Sequence, residues 1–180
     1  MKVIKYVAIV GCLMFVMMSA CFAKTTEYNG SRETIFNSSN MLTNEDVKIE
    51  VFIVKMFYPS VTGYRIGFDQ GKTINENETV NYITDAVLQF DGTKTYVFPS
   101  GKFDKLPLYG DSKGKYLTEA RVEVYDNEND IKVRRLVNLI KSSNTAEVVF
   151  TFKNKEKMTF EIPSNVLQEW KQVVAYPDVI

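Results

Sequence analysis

The 180-residue chain predicts a mainly β domain, an antiparallel β-sandwich-like fold of about seven or eight strands with two short C-terminal helices. Three observations point to it. From Val47 onward, apolar and polar residues alternate over successive runs, the period of a strand with one covered face. The runs are separated by Gly, Pro, Asn and Asp clusters. The sharpest is Asp91-Gly92, between AVLQF and TYVF, because glycine accepts the positive φ of a tight hairpin turn. Only two stretches change period: Val133-Leu136-Val137-Ile140 and Val166-Trp170-Val173-Val174 have the three- and four-residue spacing of a helix face.

The chain opens on an export signal over residues 1–23. Lys2 and Lys5 give a positive start, Tyr6 to Met18 an uncharged apolar run, and Ser19 to Ala23 a block of mostly small residues. The apolar run falls short of the roughly 20 residues that span a bilayer, so the segment is expected to be removed. Cleavage after Ala23 would release a secreted or periplasmic protein beginning at Lys24. Alternatively, Met18-Ser19-Ala20-Cys21 resembles a bacterial lipobox, with Met18 where Leu is usual; Cys21 would then be acylated and anchor a lipoprotein.

Residues 24–46 read as a polar lead with one edge strand near Glu33 to Phe36, and residues 47–180 as a single β-rich domain. Val47 to Tyr58 is a strand, apolar on both faces from Ile53, that stops at Pro59. Val61 to Asp69 returns, with Gly63 and Gly67 as weak points or bulges, and Gln70 to Glu78 is a polar turn. Thr79 to Phe90 enters the Asp91-Gly92 hairpin, and residues 99–115 form a long loop. Tyr116 to Tyr125 sets Ala120, Val122 and Val124 on one side and Glu119, Arg121 and Glu123 on the other. Asp126 to Asp130 caps a helix ending near Ser142, with acids in its first turn. Thr145 to Phe152 and Lys157 to Ile162 form a hairpin, and Pro163-Ser164 opens the last helix. The expected core unites Val51, Ile53, Val87, Val122, Val137, Val148, Phe150 and Trp170.

Composition narrows the chemistry. The chain has no histidine, and its two cysteines, Cys12 and Cys21, lie in the signal region. Ser-His-Asp and Cys-His machinery and histidine-bearing zinc sites are therefore unavailable, and neither cofactor nor metal is expected. Beyond residue 23 the chain holds 20 basic and 22 acidic side chains, a net charge of −2. That gives no overall field for nucleic acid or an anionic bilayer, leaving a lipid on Cys21 as the expected membrane contact. Asp126-Asn127-Glu128-Asn129-Asp130 looks like the start of a calcium loop, but Ile131 and Val137 occupy the positions that need Gly and Glu. Gly110 to Lys115 has three residues between its glycines and Tyr116 after its lysine, which fails the phosphate-loop pattern.

Two sets of residues remain as sites. Asp85, Glu119 and Glu123 sit on separate strands and are the carboxylates able to form an acid–base pair, although alternation equally makes them a solvent face. Phe103, Leu106 and Tyr109 lie on the long loop among lysines, either as a contact surface or as a cap on the sandwich. The expected function is an exported module that binds an envelope protein or glycan. The alternatives are a small hydrolase or lyase built on carboxylates and tyrosine, and an assembly factor acting by edge-strand addition.

Overall fold

The computed structural model describes residues 24–27, 34–44, 46–58, 61–108 and 114–176. Residues 1–23, on which the expected export signal, its cleavage and Cys21 fall, and Tyr109 lie outside these residues. The described residues form ten strands and two helices. The strands are β1 (Lys24–Glu27), β2 (Thr34–Asn44), β3 (Val47–Tyr58), β4 (Val61–Asn75), β5 (Ile83–Phe90), β6 (Lys94–Val97), β7 (Lys102–Pro107), β8 (Lys115–Asn127), β9 (Ala146–Phe152) and β10 (Lys157–Ile162). The helices are α1 (Ile131–Ser142), between β8 and β9, and α2 (Ser164–Ala175), after β10.

A six-stranded sheet has the order β1-β2-β3-β4-β8-β7 and a four-stranded sheet the order β10-β9-β5-β6. Every pairing is antiparallel. Along β3, β4 and β8 the alternation drives Val51, Ile53, Ile66, Phe68, Val122 and Val124 to one face. Ala86, Leu88 and Phe90 of β5 and Val148, Phe150 and Phe152 of β9 join them in one buried core. Phe68 locks the two sheets edge-to-face, with ring centroids 5.2 Å from Phe98 and 4.9 Å from Phe150. The wider sheet extends past the narrower one, and helices cover the excess. Helix α2 packs on β2 and β3, while α1 packs on β8 and α2. Trp170 of α2 is fully buried.

Local chemistry sets the ends of the elements. Asp91 and Gly92 have φ of 50° and 69°, the left-handed pair that a type I′ turn requires, and Thr93 N–H closes the turn on Phe90 C=O at 3.2 Å. The Asp91 carboxylate accepts from the N–H groups of Asn144 and Thr145 at 2.8 and 3.1 Å, which holds its pKa below the usual carboxylate value and ties the turn to the start of β9. Asp130 caps α1, accepting from Lys132 N–H and Val133 N–H at 2.8 and 3.0 Å.

Several expectations are corrected. The first turn of α1 contains no acid; the acids precede it, and Asp130 acts as the cap. The polar lead is not separate from the domain: β2 pairs with β3 over all 11 of its residues, and Leu42 is in the core. The long loop over 99–115 contains β7, the polar turn after Asp69 begins only beyond Asn75, and the strand count exceeds eight. Val87 is half-exposed because register turns Ala86 and Leu88 inward in its place. Gly63 and Gly67 are not bulges, since β4 keeps one register with β3 and β8 through both. Gly67 is required for another reason: a Cβ there would meet Val122 O at 2.5 Å and Glu123 Cβ at 2.6 Å.

Two stability outcomes follow from this packing. Trp170→Ala should lower the unfolding free energy in urea by about 3 to 5 kcal/mol, and an unchanged midpoint would mean that α2 is not docked as described. Gly67→Ala adds one methyl yet should cost about 1 to 3 kcal/mol, because the atoms it meets belong to the β8 backbone and a strand-bound Cβ.

Candidate functional site

The outer face of the six-stranded sheet carries Glu50 of β3, Arg65 and Asp69 of β4, Lys102 and Asp104 of β7, and Glu119, Arg121 and Glu123 of β8. Register aligns Glu50, Asp69, Arg121 and Lys102 in one row across four strands. The Arg121 guanidinium donates twice to Asp69 Oδ2, from Nε at 3.1 Å and Nη2 at 2.7 Å, and also pairs with Glu119. Along the sheet, Arg65 Nε donates to Glu123 Oε2 at 2.6 Å, with its guanidinium 5.3 Å from the Phe52 ring centroid. Asp69 Oδ1 is buried without a hydrogen-bond partner. Burial raises the Asp69 pKa above its ordinary 3.8, against the opposing charge and hydrogen bond of Arg121 and the charge of Arg65.

A groove of about 630 Å³ opens where β7 leaves this sheet. The cause lies in the segment joining β6 to β7. Phe98 N–H donates to Ala86 C=O at 3.0 Å and Gly101 N–H to Thr84 C=O at 2.8 Å, so the segment bonds to β5. Only at Lys102, opposite Arg121, does the chain take up pairing with β8. From there to Asn127, β8 keeps β4 on one side and faces the groove on the other. Pro99 and Ser100 form one wall, β8 from Glu119 to Asp126 the floor, and Asp130 and Lys132 the end.

Of the sequence-chosen residues, Glu119 and Glu123 line this groove, and Phe103, Leu106 and Asp85 do not. Phe103 points inward, is half-buried against the core, and stacks on Tyr82 with centroids 3.9 Å apart and planes 11° apart. Lys153 lies over the far end of that stack, 5.3 Å from the Tyr82 ring. Leu106 is on the opposite face of β7, 53% exposed, beside Leu117. Phe103 and Leu106 therefore do not form one surface. Glu119 and Glu123 do share a face, whereas Asp85 belongs to the other sheet, where its carboxylate accepts from Thr84 at 2.8 Å and Ser100 at 3.1 Å. Trp170 is a core anchor, as its helical register predicts.

Sequence reasoning missed Asp69 and Arg65, whose ion-pair partners lie 52 and 58 residues away. The alternating Glu119-Arg121-Glu123 was the available signal that one face of β8 is charged.

The Asp69 carboxyl carbon should titrate above 3.8 in an NMR pH series. A raised native pKa means the folded state holds this proton more tightly than the unfolded one. The Asp69 contribution to stability is therefore greatest below that ordinary value and declines as pH rises through the native one. A midpoint at or below 3.8 would show that the Arg121 pairing outweighs burial. No protein-family model, curated protein or solved structure matches the chain.

Proposed function

We propose that the chain is an exported, non-enzymatic binding module that takes up an extended segment of a partner protein as an added strand beside β8. One observation supports this reading: pairing with β7 ends at Lys102–Arg121, while β8 continues to Asn127 along the groove. The phase of the ladder identifies the groups available to a partner. Glu128 N–H donates to Thr62 C=O, so the even-numbered residues of β8 bond to β4, and the N–H and C=O of Glu123 point toward the groove. Added strands gain affinity from main-chain hydrogen bonds and specificity from alternate side chains, here Glu119, Arg121 and Glu123. Binding is favoured over carboxylate catalysis because Glu119 and Glu123 are each engaged by an arginine, so that neither is offered as a free acid or base, even with Asp104 opposite Glu119 in the register.

The test separates backbone from side chain at one residue. Glu123→Pro removes the groove-facing N–H and leaves the even-numbered bonds to β4, whereas Glu123→Gln keeps the N–H and removes the charge. Random dodecapeptides selected on the protein should be rich in β-prone residues. Their affinity should drop about tenfold or more on Glu123→Pro, the worth of one or two backbone hydrogen bonds, and by less than about threefold on Glu123→Gln. Thermal melts of both variants establish that they fold. Equal binding to Glu123→Pro, an equal loss with Glu123→Gln, or no enriched peptide would each overturn the reading.

A further inference from the structure

Helix α1 has the sequence IKVRRLVNLIKS, with four cations and no acid. Its apolar side is committed to the interior, where Val133, Leu136, Val137 and Ile140 are buried. Lys132, Arg134, Arg135 and Lys141 therefore lie on the solvent side, around an Ile131 that is 73% exposed. None of the four takes part in an ion pair among the described residues. Arg134 Nη2 donates to Asn129 C=O at 3.4 Å and Arg135 Nη2 to Thr95 C=O at 3.1 Å. These bonds to neutral carbonyls position the guanidinium groups without cancelling their charge. A shallow hollow of about 460 Å³ gathers Arg134 and Arg135 with Lys94 of β6, Ile131 and the half-buried Leu139. Lys94 is the one cation of the hollow with an ion-pair partner among the described residues, Asp91 at 3.4 Å.

We propose that this outward face of α1 docks on an anionic lipid bilayer. The near balance of charge over the whole chain conceals the patch, because surface electrostatics acts within a Debye length, about 10 Å at 0.1 M salt, and reads local charge. Each lysine or arginine held at an anionic leaflet adds attraction, and cations on one helix face reach it together. Ile131 and Leu139 add the apolar contact that a headgroup layer accepts and a purely polar partner does not use. The hollow is broad and open, which suits a diffuse field of headgroups. Since the helix's own apolar face is already used by the core, docking is peripheral and salt-reversible. This surface meets the Glu123 groove at Lys132 alone of its four cations, and neither reading depends on the other.

The experiment is sedimentation with vesicles of equal phosphatidylglycerol and phosphatidylcholine, compared with phosphatidylcholine alone, for the wild type and for Arg134→Gln/Arg135→Gln/Lys141→Gln. Lys132 is left intact because it also lines the groove. Both proteins carry the same first 23 residues, so a difference between them reports on α1 alone. The wild type should show a fraction bound only to the anionic vesicles and released at 0.5 M NaCl, and the triple variant should lose that fraction about tenfold or more. If the triple variant melts early, Arg134→Gln/Lys141→Gln must still lower it. Absence of a salt-labile fraction, or its retention in the variants, overturns the proposal. Equal or tighter wild-type binding to polyglutamate overturns the lipid assignment in favour of an acidic polypeptide.

Discussion

The ladder between β4 and β8 is the constraint on which the rest of the molecule depends. All 13 residues of β8 pair with β4 in one unbroken register. Because side chains alternate, that register decides both faces at once. It sends Phe68 and Val122 into the core, and sets Asp69 against Arg121 outside. A slip of one residue would turn phenylalanine to water and aspartate into the aromatic cluster. Gly67 lets the two backbones approach where a methyl would meet main chain, one residue before the Phe68–Val122 core contact and two before the charged row.

How the two sheets are joined explains where the sheet stays open. The chain passes from β6 in one sheet to β7 in the other within residues 98–101, and it bonds to β5 on the way. A segment with that short a span cannot also pair along β8, so the joint closes the sandwich and leaves part of β8 facing a groove. Phe103 then anchors the start of β7 by stacking on Tyr82. The same aromatic residue that a sequence reading offers as a recognition element thus seals the fold, while the groove beside it is lined largely by polar side chains.

What was legible in the sequence is what depends on near neighbours. The Asp91-Gly92 turn, the Asp130 cap, both helix faces and the last hairpin each follow from residues a few positions apart, and the two-sheet antiparallel plan follows from their order. Strand β7 was illegible because Pro99, Gly101 and Pro107, before it and at its end, read as loop, while its pairing comes from β8. Val87 and Leu88 are equally apolar, and only the register with β9, with its irregularity between Ile83 and Asp85, decides which points inward. The charged face of β8 was visible as an alternating pattern. Its partners Asp69 and Arg65 and the groove were not, because each needs elements distant in sequence to be set side by side; the cations of α1 are neighbours in sequence, and only Lys94 joins them from another element.

Strand β2 shows why a polar run can still belong inside. Ser38 and Asn40 face the same side as Ile53 and Val51, where a covered strand ordinarily carries aliphatic residues. There they meet the buried Glu169 of α2: Ser38 Oγ donates to Glu169 Oε2 at 2.6 Å, Asn40 Nδ2 donates to the same oxygen at 2.9 Å, and Asn40 also donates to Ser38 at 3.0 Å. A buried carboxyl group without donors is costly, so any register that turned these two residues outward would strand Glu169 in the core. The polar cluster is thus poor as a source of net stability and strong as a specification. It admits one alignment of β2, and through β2 it fixes where α2, with Trp170 next to Glu169 in sequence, can sit on the sheet. The six-stranded sheet is in this way bound at one end by a hydrogen-bonded carboxyl group that permits a single register. At its other end β8 runs on past β7 along the groove, with one register already set by β4.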